Sequence, residues 1–189
     1  MLQALNQFDT SLLLYLNSLH SPFFDHVMWL ASDKFIWAPL YIWFLWLLYR
    51  EYPKRFWLIL ASVALMILAG DQLSRLFKDM VGRYRPTHEP AIQQLVHTVN
   101  GYTGGAYSFF SGHATNSFAV ALFMIMMLPE KRRYMLPLTL AYAVLVSYSR
   151  IYLGVHYPID ILTGAVAGSF IGWGASKAYR YTDLRLSRK

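Results

Sequence analysis

The stretch WLILASVALMILAGDQLSRLF, residues 57–77, decides the class of fold. Only Asp71 and Arg75 are charged in it, and a bilayer core about 30 Å thick is crossed by about 20 helical residues. Four further apolar stretches lie at residues 35–49, 114–128, 134–153 and 159–178, and the first two of these are shorter, so they would need flanking residues to cross. The sequence therefore predicts an all-α fold, a polytopic membrane helical bundle with about five transmembrane helices.

Composition excludes several other classes of protein. Hydrophobic residues make up 56% of the 189 residues and charged residues 14%, whereas soluble domains carry about 25% charged residues. The alternative of a soluble all-helical core fails because five such stretches would leave too little polar surface to cover them. The absence of cysteine excludes disulfides, thiolate-bound zinc, iron–sulfur clusters and cysteine nucleophiles.

The N-terminal residues differ from the apolar stretches. Residues 8–19 predict a helix with Asp9 or Thr10 at its N-cap, and Ser21-Pro22 predicts the start of a second short helix. Both are too short to span and lack the basic start of a signal peptide, so we expect them to lie along the membrane interface. A single domain is expected, with interfacial helices in residues 1–33, a transmembrane core in 34–178 and a basic cytoplasmic tail in 179–189.

The basic residues predict the orientation in the membrane. Eleven of the 17 fall in two loops and at the C-terminal end: Arg50, Lys54, Arg55, Lys131, Arg132, Arg133, Lys177, Arg180, Arg185, Arg188 and Lys189. Positive loops stay in the cytoplasm, so we expect a bacterial cytoplasmic membrane protein with its N-terminus outside and its C-terminus inside. The net charge of +7 then reflects topology, and nucleic-acid binding has no further support.

Three polar segments, residues 78–86, 110–113 and 149–160, are expected together at the outer face. They contribute Lys78, Arg85 and Arg150, which would repel one another unless an anion lay between them, and Arg presents a planar fork suited to phosphate oxygens. Ser111 and Gly112 stand where a helix begins, and helix N-termini offer free N–H groups to a phosphate. The three segments together predict a phosphate-binding pocket.

Two histidines complete this pocket. Asp160 follows His156 by four residues and would accept its hydrogen bond, which leaves the other ring nitrogen free as a nucleophile. His113 would then donate a proton to the leaving oxygen. Alternatively His156 and Asp160 could be two metal ligands, but the usual third and fourth ligands are not evident. Taken singly, each of these residues is more typical of an ordinary interfacial side chain.

The three segments resemble the signature of the type-2 phosphatidic acid phosphatase superfamily, which also contains vanadium haloperoxidases. Its K-x6-R-P motif matches at Lys78, Arg85 and Pro86, and its S-R-x5-H-x3-D motif matches at Ser149, Arg150, His156 and Asp160. The P-S-G-H motif matches at 111–113, with Phe110 in place of the family's proline, which puts the rigidity of that loop in question. The five-span layout is also similar to that of compact bacterial members.

The resemblance implies a metal-independent membrane enzyme without a cofactor. It assigns His156 as the nucleophile that becomes phosphohistidine, Asp160 as its support and His113 as the general acid. It assigns the phosphate contacts to Lys78, Arg85, Ser111, Gly112 and Arg150. The expected activity is hydrolysis of a phosphate monoester or diphosphate on a lipid, such as undecaprenyl diphosphate, phosphatidylglycerol phosphate, phosphatidic acid or lipid A, at the outer membrane face.

Other functions stay open at this point. The histidine could pass its phosphoryl group to another lipid, which would make the protein a phosphotransferase. The anion pocket could hold vanadate, as in a haloperoxidase, or the chain could be a non-enzymatic membrane scaffold or permease. Two further expectations concern the rest of the chain. The loop 87–109 should act as a lid or contact the substrate head group, and Gly164, Gly168, Gly172 and Gly174 should allow close helix packing.

Overall fold

The computed structural model describes residues 2–187, so Arg188 and Lys189, two of the basic residues used to predict topology, lie outside the described residues. The helices are α1 (Leu2–Ser18), α2 (Pro22–Ser32), α3 (Ala38–Glu51), α4 (Phe56–Val81), α5 (Gly112–Met127), α6 (Arg132–Tyr152) and α7 (Pro158–Ser187). Within the described part of the chain, extended pairing is limited to one isolated bridge between Tyr84 and Tyr107. The all-α prediction is confirmed.

The predicted helix bounds need two corrections. Helix α1 begins six residues before the predicted start, so Asp9 lies in the middle of the helix and is not its N-cap. Helix α7 continues to Ser187, so most of the predicted tail, residues 179–187, is helical. The start of α2 is confirmed, because the Ser21 side chain accepts a hydrogen bond from the Phe24 N–H at 3.4 Å.

The number of membrane spans is not confirmed by helix length and hydropathy. Among the described residues, Pro53–Val81 alone is long and apolar enough to cross a bilayer by itself. Gly112–Met127 and Pro129–Tyr152 qualify together, but they are bent by 104° at their junction. The physical reason lies partly in length, since α3 has 14 residues and α5 has 16, fewer than the roughly 20 that a span requires.

Helix α5 is the centre of the bundle and packs against α4, α6 and α7. A Cβ atom at Gly164 would lie 2.6 Å from the Ser111 carbonyl oxygen, and Cβ atoms at Gly168 and Gly172 would overlap the backbone of α5. The backbones of α5 and α7 are therefore in direct contact. This confirms the predicted close packing at Gly164, Gly168 and Gly172. The prediction is wrong for Gly174, where an added Cβ would meet no atom within 4 Å.

Large apolar side chains also cover much of the outer surface of the bundle. Ile42 on α3, Leu65 on α4 and Phe170 on α7 are each at least 66% exposed, and many neighbours on these helices are similar. Apolar side chains are buried as well, in a core between α3, α4, α5 and α7 that includes Phe44, Leu48, Ile59, Phe123 and Met127. A soluble monomer rarely exposes so much contiguous apolar surface, whereas lipid tails would cover it.

Ion pairs gather the basic loops at one end of the bundle. Lys131 Nζ lies 2.9 Å from Glu51 Oε2, which joins the α5–α6 turn to the end of α3. Arg55 Nη1 lies 2.8 Å from Asp183 Oδ1, which joins the start of α4 to the C-terminal part of α7. The chain crosses the bundle between these loops and the three motif segments, so the basic end and the motif end are opposite.

The glycine contacts predict the effect of single methyl groups on stability. Gly168→Ala should lower the melting temperature of the detergent-solubilised protein, because the methyl group would push α5 away from α7. Gly174→Ala is the matched control, and it should leave stability unchanged or raise it by up to about 1 kcal/mol, since alanine favours helix. Equal melting temperatures for the two variants would contradict the close α5–α7 contact.

Candidate active site

The three motif segments meet around one cavity of about 1030 Å³. Six of the eight predicted site residues line it: Lys78, Arg85, Gly112, His113, Arg150 and His156. The other two, Ser111 and Asp160, are fully buried and do not line the cavity. The structure thus brings together residues that lie up to 82 positions apart in the sequence.

Helix α4 supplies Lys78 from its last turn and ends immediately afterwards. Lys78 Nζ donates a hydrogen bond to Ser74 Oγ at 2.6 Å, and Ser74 Oγ donates to the Phe110 carbonyl oxygen at 3.0 Å. Gly82 then adopts a left-handed conformation, with φ of 62°, that terminates the helix. The lysine is therefore fixed to the second motif segment through one serine.

Arg85 lies in the loop after α4. Its backbone N–H donates to the Ala106 carbonyl at 2.9 Å, and its Nε donates to the Tyr107 carbonyl at 3.1 Å. The guanidinium packs on Gly104, whose φ is 69° and where any Cβ would collide with it. Arg85 Nη1 is buried without a hydrogen-bond partner.

Arg150 comes from the last turn of α6 and is 3% exposed. Its Nη1 donates to Ser32 Oγ, and its Nη2 donates to the Tyr102 hydroxyl at 3.0 Å. Its Nε is buried without a partner. Helix α2 and the loop 87–109 both hold this arginine, so the predicted head-group loop contacts the site through Tyr102.

Lys78, Arg85 and Arg150 form what we call the cationic clamp. Within residues 2–187, none of the three has a carboxylate within 4.0 Å, unlike Arg83, which contacts two. Burial lowers the pKa of the Arg85 guanidinium, and the nearby charge of Arg150 lowers it further. Buried like charges of this kind favour a bound anion, and the unpartnered N–H groups of both arginines can donate to its oxygens.

The second motif segment positions the start of α5. Ser111 Oγ caps the helix by accepting from the Ala114 N–H at 3.4 Å, and the Ser111 N–H donates to the Asp160 carbonyl at 3.1 Å. Phe110, which stands where the family has proline, is 2% exposed, and its ring lies 5.4 Å from that of Phe77. Aromatic packing and the Ser74 hydrogen bond therefore anchor this loop without a proline.

His156 lies in the short loop between α6 and α7 and is 2% exposed. Its Nδ1 is 3.5 Å from Asp160 Oδ2 and has no hydrogen-bond partner, so the predicted hydrogen bond is not formed. Each carboxylate oxygen of Asp160 has one other partner, since Oδ2 accepts from the Tyr157 N–H at 2.9 Å and Oδ1 from Arg83 Nη1 at 3.3 Å. The two groups are nevertheless adjacent, and a shift of a few tenths of an ångström would join them.

The surroundings of His156 keep its imidazole neutral. Burial lowers its pKa well below 6.5, and the positive charges of Arg85, Arg150 and Lys78 lower it further. A neutral imidazole has a free lone pair, which a nucleophile needs. His113, in the first turn of α5, lines the same cavity, and its side chain is more exposed than that of His156.

Sequence reasoning missed two supports of the clamp, Ser74 and Ser32. Ser74 precedes Lys78 by four residues on α4, so helical spacing could have indicated their contact. Ser32 ends α2 and is 118 residues from Arg150, and nothing in the local pattern pointed to that pairing.

In the described part of the chain, one group could offer three metal ligands: His20, Asp25 and His97, whose ligand atoms lie within 4.8 Å of one another. The two imidazoles stack with centroids 3.7 Å apart and planes 6° from parallel, so their in-plane lone pairs do not converge. Asp25 Oδ1 instead lies 2.9 Å from His97 Nε2 and accepts from the Tyr152 hydroxyl at 2.6 Å. These hydrogen bonds account for the group, which does not line the cavity.

Comparison with known proteins agrees with the motifs. The PAP2 superfamily model matches residues 56–183. The chain is 40% identical over 176 residues to lipid A 4'-phosphatase of Bacteroides thetaiotaomicron, covering 92% of this chain and 77% of that protein. It is 38% identical over 179 residues to lipid A 4'-phosphatase of Porphyromonas gingivalis, covering 94% and 75%.

The fold also matches a solved structure, a transmembrane PAP2-type phosphatidylglycerolphosphate phosphatase from Bacillus subtilis. The TM-score is 0.71 at 23% identity, with 95% of this chain and 87% of that chain covered. The family match, the curated relatives and the shared fold agree with the three motifs and the helical bundle. The chain therefore belongs to the PAP2 superfamily, and it is a membrane lipid phosphatase.

Proposed function

We propose that the enzyme removes phosphate from its lipid in two steps, with His156 as the nucleophile. In the first step His156 Nε2 attacks phosphorus, the bond from phosphorus to the lipid oxygen breaks, and His113 gives that oxygen a proton. In the second step water gives a proton back to His113 and attacks phosphorus, and the N–P bond breaks to release inorganic phosphate. Asp160 stabilises the imidazolium that forms when His156 is phosphorylated.

The cationic clamp supports this chemistry electrostatically. Negative charge spreads over the equatorial oxygens of a transferring phosphoryl group, and preorganised donors are most effective where that charge develops. Lys78, Arg85 and Arg150 are the donors, together with the α5 N-terminus at Ser111 and Gly112. The gathering of these unpaired cations and both histidines around one cavity is the observation that carries the proposal.

The same cavity continues from the clamp into apolar surroundings. Its lining includes Trp37, Tyr41, Phe44, Leu48, Val63, Met66 and Ile67 from α3, α4 and the residues before α3. An acyl tail could lie against these side chains while the phosphate reaches the clamp. A lipid is therefore a better fit to this cavity than a water-soluble phosphate ester of the same head group.

We propose the 4'-phosphate of lipid A as the substrate. The two lipid A 4'-phosphatases match this chain over more than nine-tenths of its length. Next to the clamp, Asp71, Gln72 and Asn116 line the cavity, and Asn116 Nδ2 donates to Asp71 Oδ1 at 2.7 Å. Such hydrogen-bonding groups suit the polar atoms of a phosphorylated sugar head group.

We propose a single domain with five membrane-spanning segments, α3–α7, and interfacial helices in residues 1–33. The basic loops and the active site lie at opposite ends, so the positive-inside rule places the basic end and residues 179–189 in the cytoplasm. The active site then faces outward from the cytoplasmic membrane, where the phosphate groups of outer-leaflet lipids are accessible.

A substrate panel tests the proposed function. Purified protein in detergent should release phosphate from lipid A faster than from undecaprenyl diphosphate, phosphatidylglycerol phosphate or phosphatidic acid. Mass spectrometry should show that the 4'-phosphate is the group lost, and His156→Ala should be inactive on every lipid. Faster turnover of another lipid would contradict the substrate proposal, and phosphate transfer to lipid without release of inorganic phosphate would contradict hydrolysis.

The two histidines should differ in their dependence on the leaving group. His113→Asn should lower turnover of the lipid about 10²–10⁴-fold, because the lipid oxygen leaves poorly without a proton. With p-nitrophenyl phosphate, whose leaving group needs no proton, the loss should be much smaller. His156→Ala should abolish both activities, and rapid acid-free quenching of wild type should trap phosphohistidine. An equal loss for His113→Asn on both substrates would contradict the general-acid role.

Single cysteines test the orientation, and the absence of native cysteine removes background labelling. A membrane-impermeant maleimide added to intact spheroplasts should label Thr98→Cys in the loop 87–109. It should label Lys54→Cys, between α3 and α4, only after the membrane is permeabilised. The reverse pattern would place the active site in the cytoplasm, and both variants must first be shown to retain phosphatase activity.

A further inference from the structure

A buried carboxylate of α1 reaches the catalytic loop. Asp9 is 1% exposed, its Oδ2 lies 2.8 Å from Arg83 Nη2, and its Oδ1 accepts from the Ile159 N–H at 2.9 Å. Ile159 is the second residue of α7, directly before Asp160. Asp9 therefore binds both Arg83 of the first motif segment and one backbone N–H in the first turn of α7, that of Ile159.

Arg83 connects this carboxylate to that of Asp160. Its Nη1 lies 3.3 Å from Asp160 Oδ1, and its guanidinium lies over the Tyr157 ring at 3.6 Å from the centroid. The planar fork thus contacts two buried carboxylates with different nitrogens while stacking on the residue after His156. Arg83 does not line the cavity, so its charge serves the carboxylates and not the substrate.

These contacts restrict the orientation of Asp160. One carboxylate oxygen is held by Arg83 and the other by the Tyr157 N–H, and the latter oxygen faces His156 Nδ1 at 3.5 Å. Because the gap to His156 is just beyond hydrogen-bond length, a small rotation of the carboxylate decides whether it supports the imidazole. Asp9 limits that rotation by fixing Arg83 from the other side.

We propose that Asp9 and Arg83 are positioning residues that hold Asp160 against His156, which makes α1 part of the catalytic apparatus. This inference rests on the proposed roles of His156 and Asp160. Asp9 lies outside the three motif segments, Arg83 occupies an unspecified position of the K-x6-R-P motif, and neither lines the cavity. Their effect is on the geometry of the histidine and on the stability of its charged form.

A purely structural role for α1 is the competing explanation, and Asn17 provides its matched control. Asn17 is also on α1 and 1% exposed, and its Nδ2 donates to the Tyr152 carbonyl at 2.7 Å and to the His97 carbonyl at 3.1 Å. Asn17 thus anchors α1 to the end of α6 and to the loop 87–109, but it contacts neither Arg83 nor Asp160. Loss of Asn17 should therefore weaken the fold without changing the catalytic geometry.

The test compares Asp9→Asn, Arg83→Gln, Arg83→Lys and Asn17→Ala in purified, folded protein. Asp9→Asn and Arg83→Gln should lower kcat about 10–100-fold, the range typical of second-layer supports, with KM within about threefold of wild type. The rate of phosphohistidine formation should fall equally. Arg83→Lys should recover part of kcat, because it restores a positive charge between the carboxylates. Asn17→Ala should lower the melting temperature and keep kcat within about twofold.

Different results would contradict the positioning role and the proposed mechanism. The positioning role is wrong if kcat of Asp9→Asn and Arg83→Gln stays within twofold of wild type. It is also wrong if kcat of Asn17→Ala falls as far as kcat of those two variants. If Asp9→Asn does not fold, the comparison of Arg83→Gln with Arg83→Lys decides by itself. Activity of His156→Ala in the same assay would contradict the proposed mechanism, on which the positioning role depends.

Discussion

The repulsion among Lys78, Arg85 and Arg150 is the constraint on which the site depends. Each is held by neutral partners, namely Ser74, the Tyr107 carbonyl, Ser32 and Tyr102, and none has a carboxylate within 4.0 Å in the described chain. Neutral acceptors fix the cations without cancelling their charge. In the proposed mechanism a phosphoryl group in the cavity meets uncompensated positive charge, which stabilises the transition state more than the same charge would in water.

The scaffold keeps these cations together by close helix contact. Glycines on α7 bring its backbone against α5, and the first turns of both helices are linked by the hydrogen bond from the Ser111 N–H to the Asp160 carbonyl. The N-terminus of α5, which we propose to bind phosphate, and the His156 loop are thereby held together. Separating the helices by one methyl group would move His156, the proposed nucleophile, relative to the start of α5.

Sequence patterns revealed the helices and the motif residues but not the supports between them. Apolar runs gave α3–α7 to within a few residues, although α7 extends further because residues 179–187 are polar yet helical. The four-residue spacing predicts that His156 and Asp160 are adjacent. It does not predict the 3.5 Å between His156 Nδ1 and Asp160 Oδ2, because Arg83 and Tyr157 also bind that carboxylate. The local pattern indicates a helix cap at Asp9, because its partners in the structure, Arg83 and Ile159, are 74 and 150 residues away, beyond the reach of any local pattern.

The most direct measurement is a structure of the enzyme with vanadate, an analogue of the phosphoryl transition state. We expect vanadium to be bonded to His156 Nε2, with its oxygens contacted by Lys78, Arg85 and Arg150 and with His113 facing the apical oxygen. Vanadate bound elsewhere, bonded to His113, or held without the three cations would contradict the claim that one oxyanion organises this site.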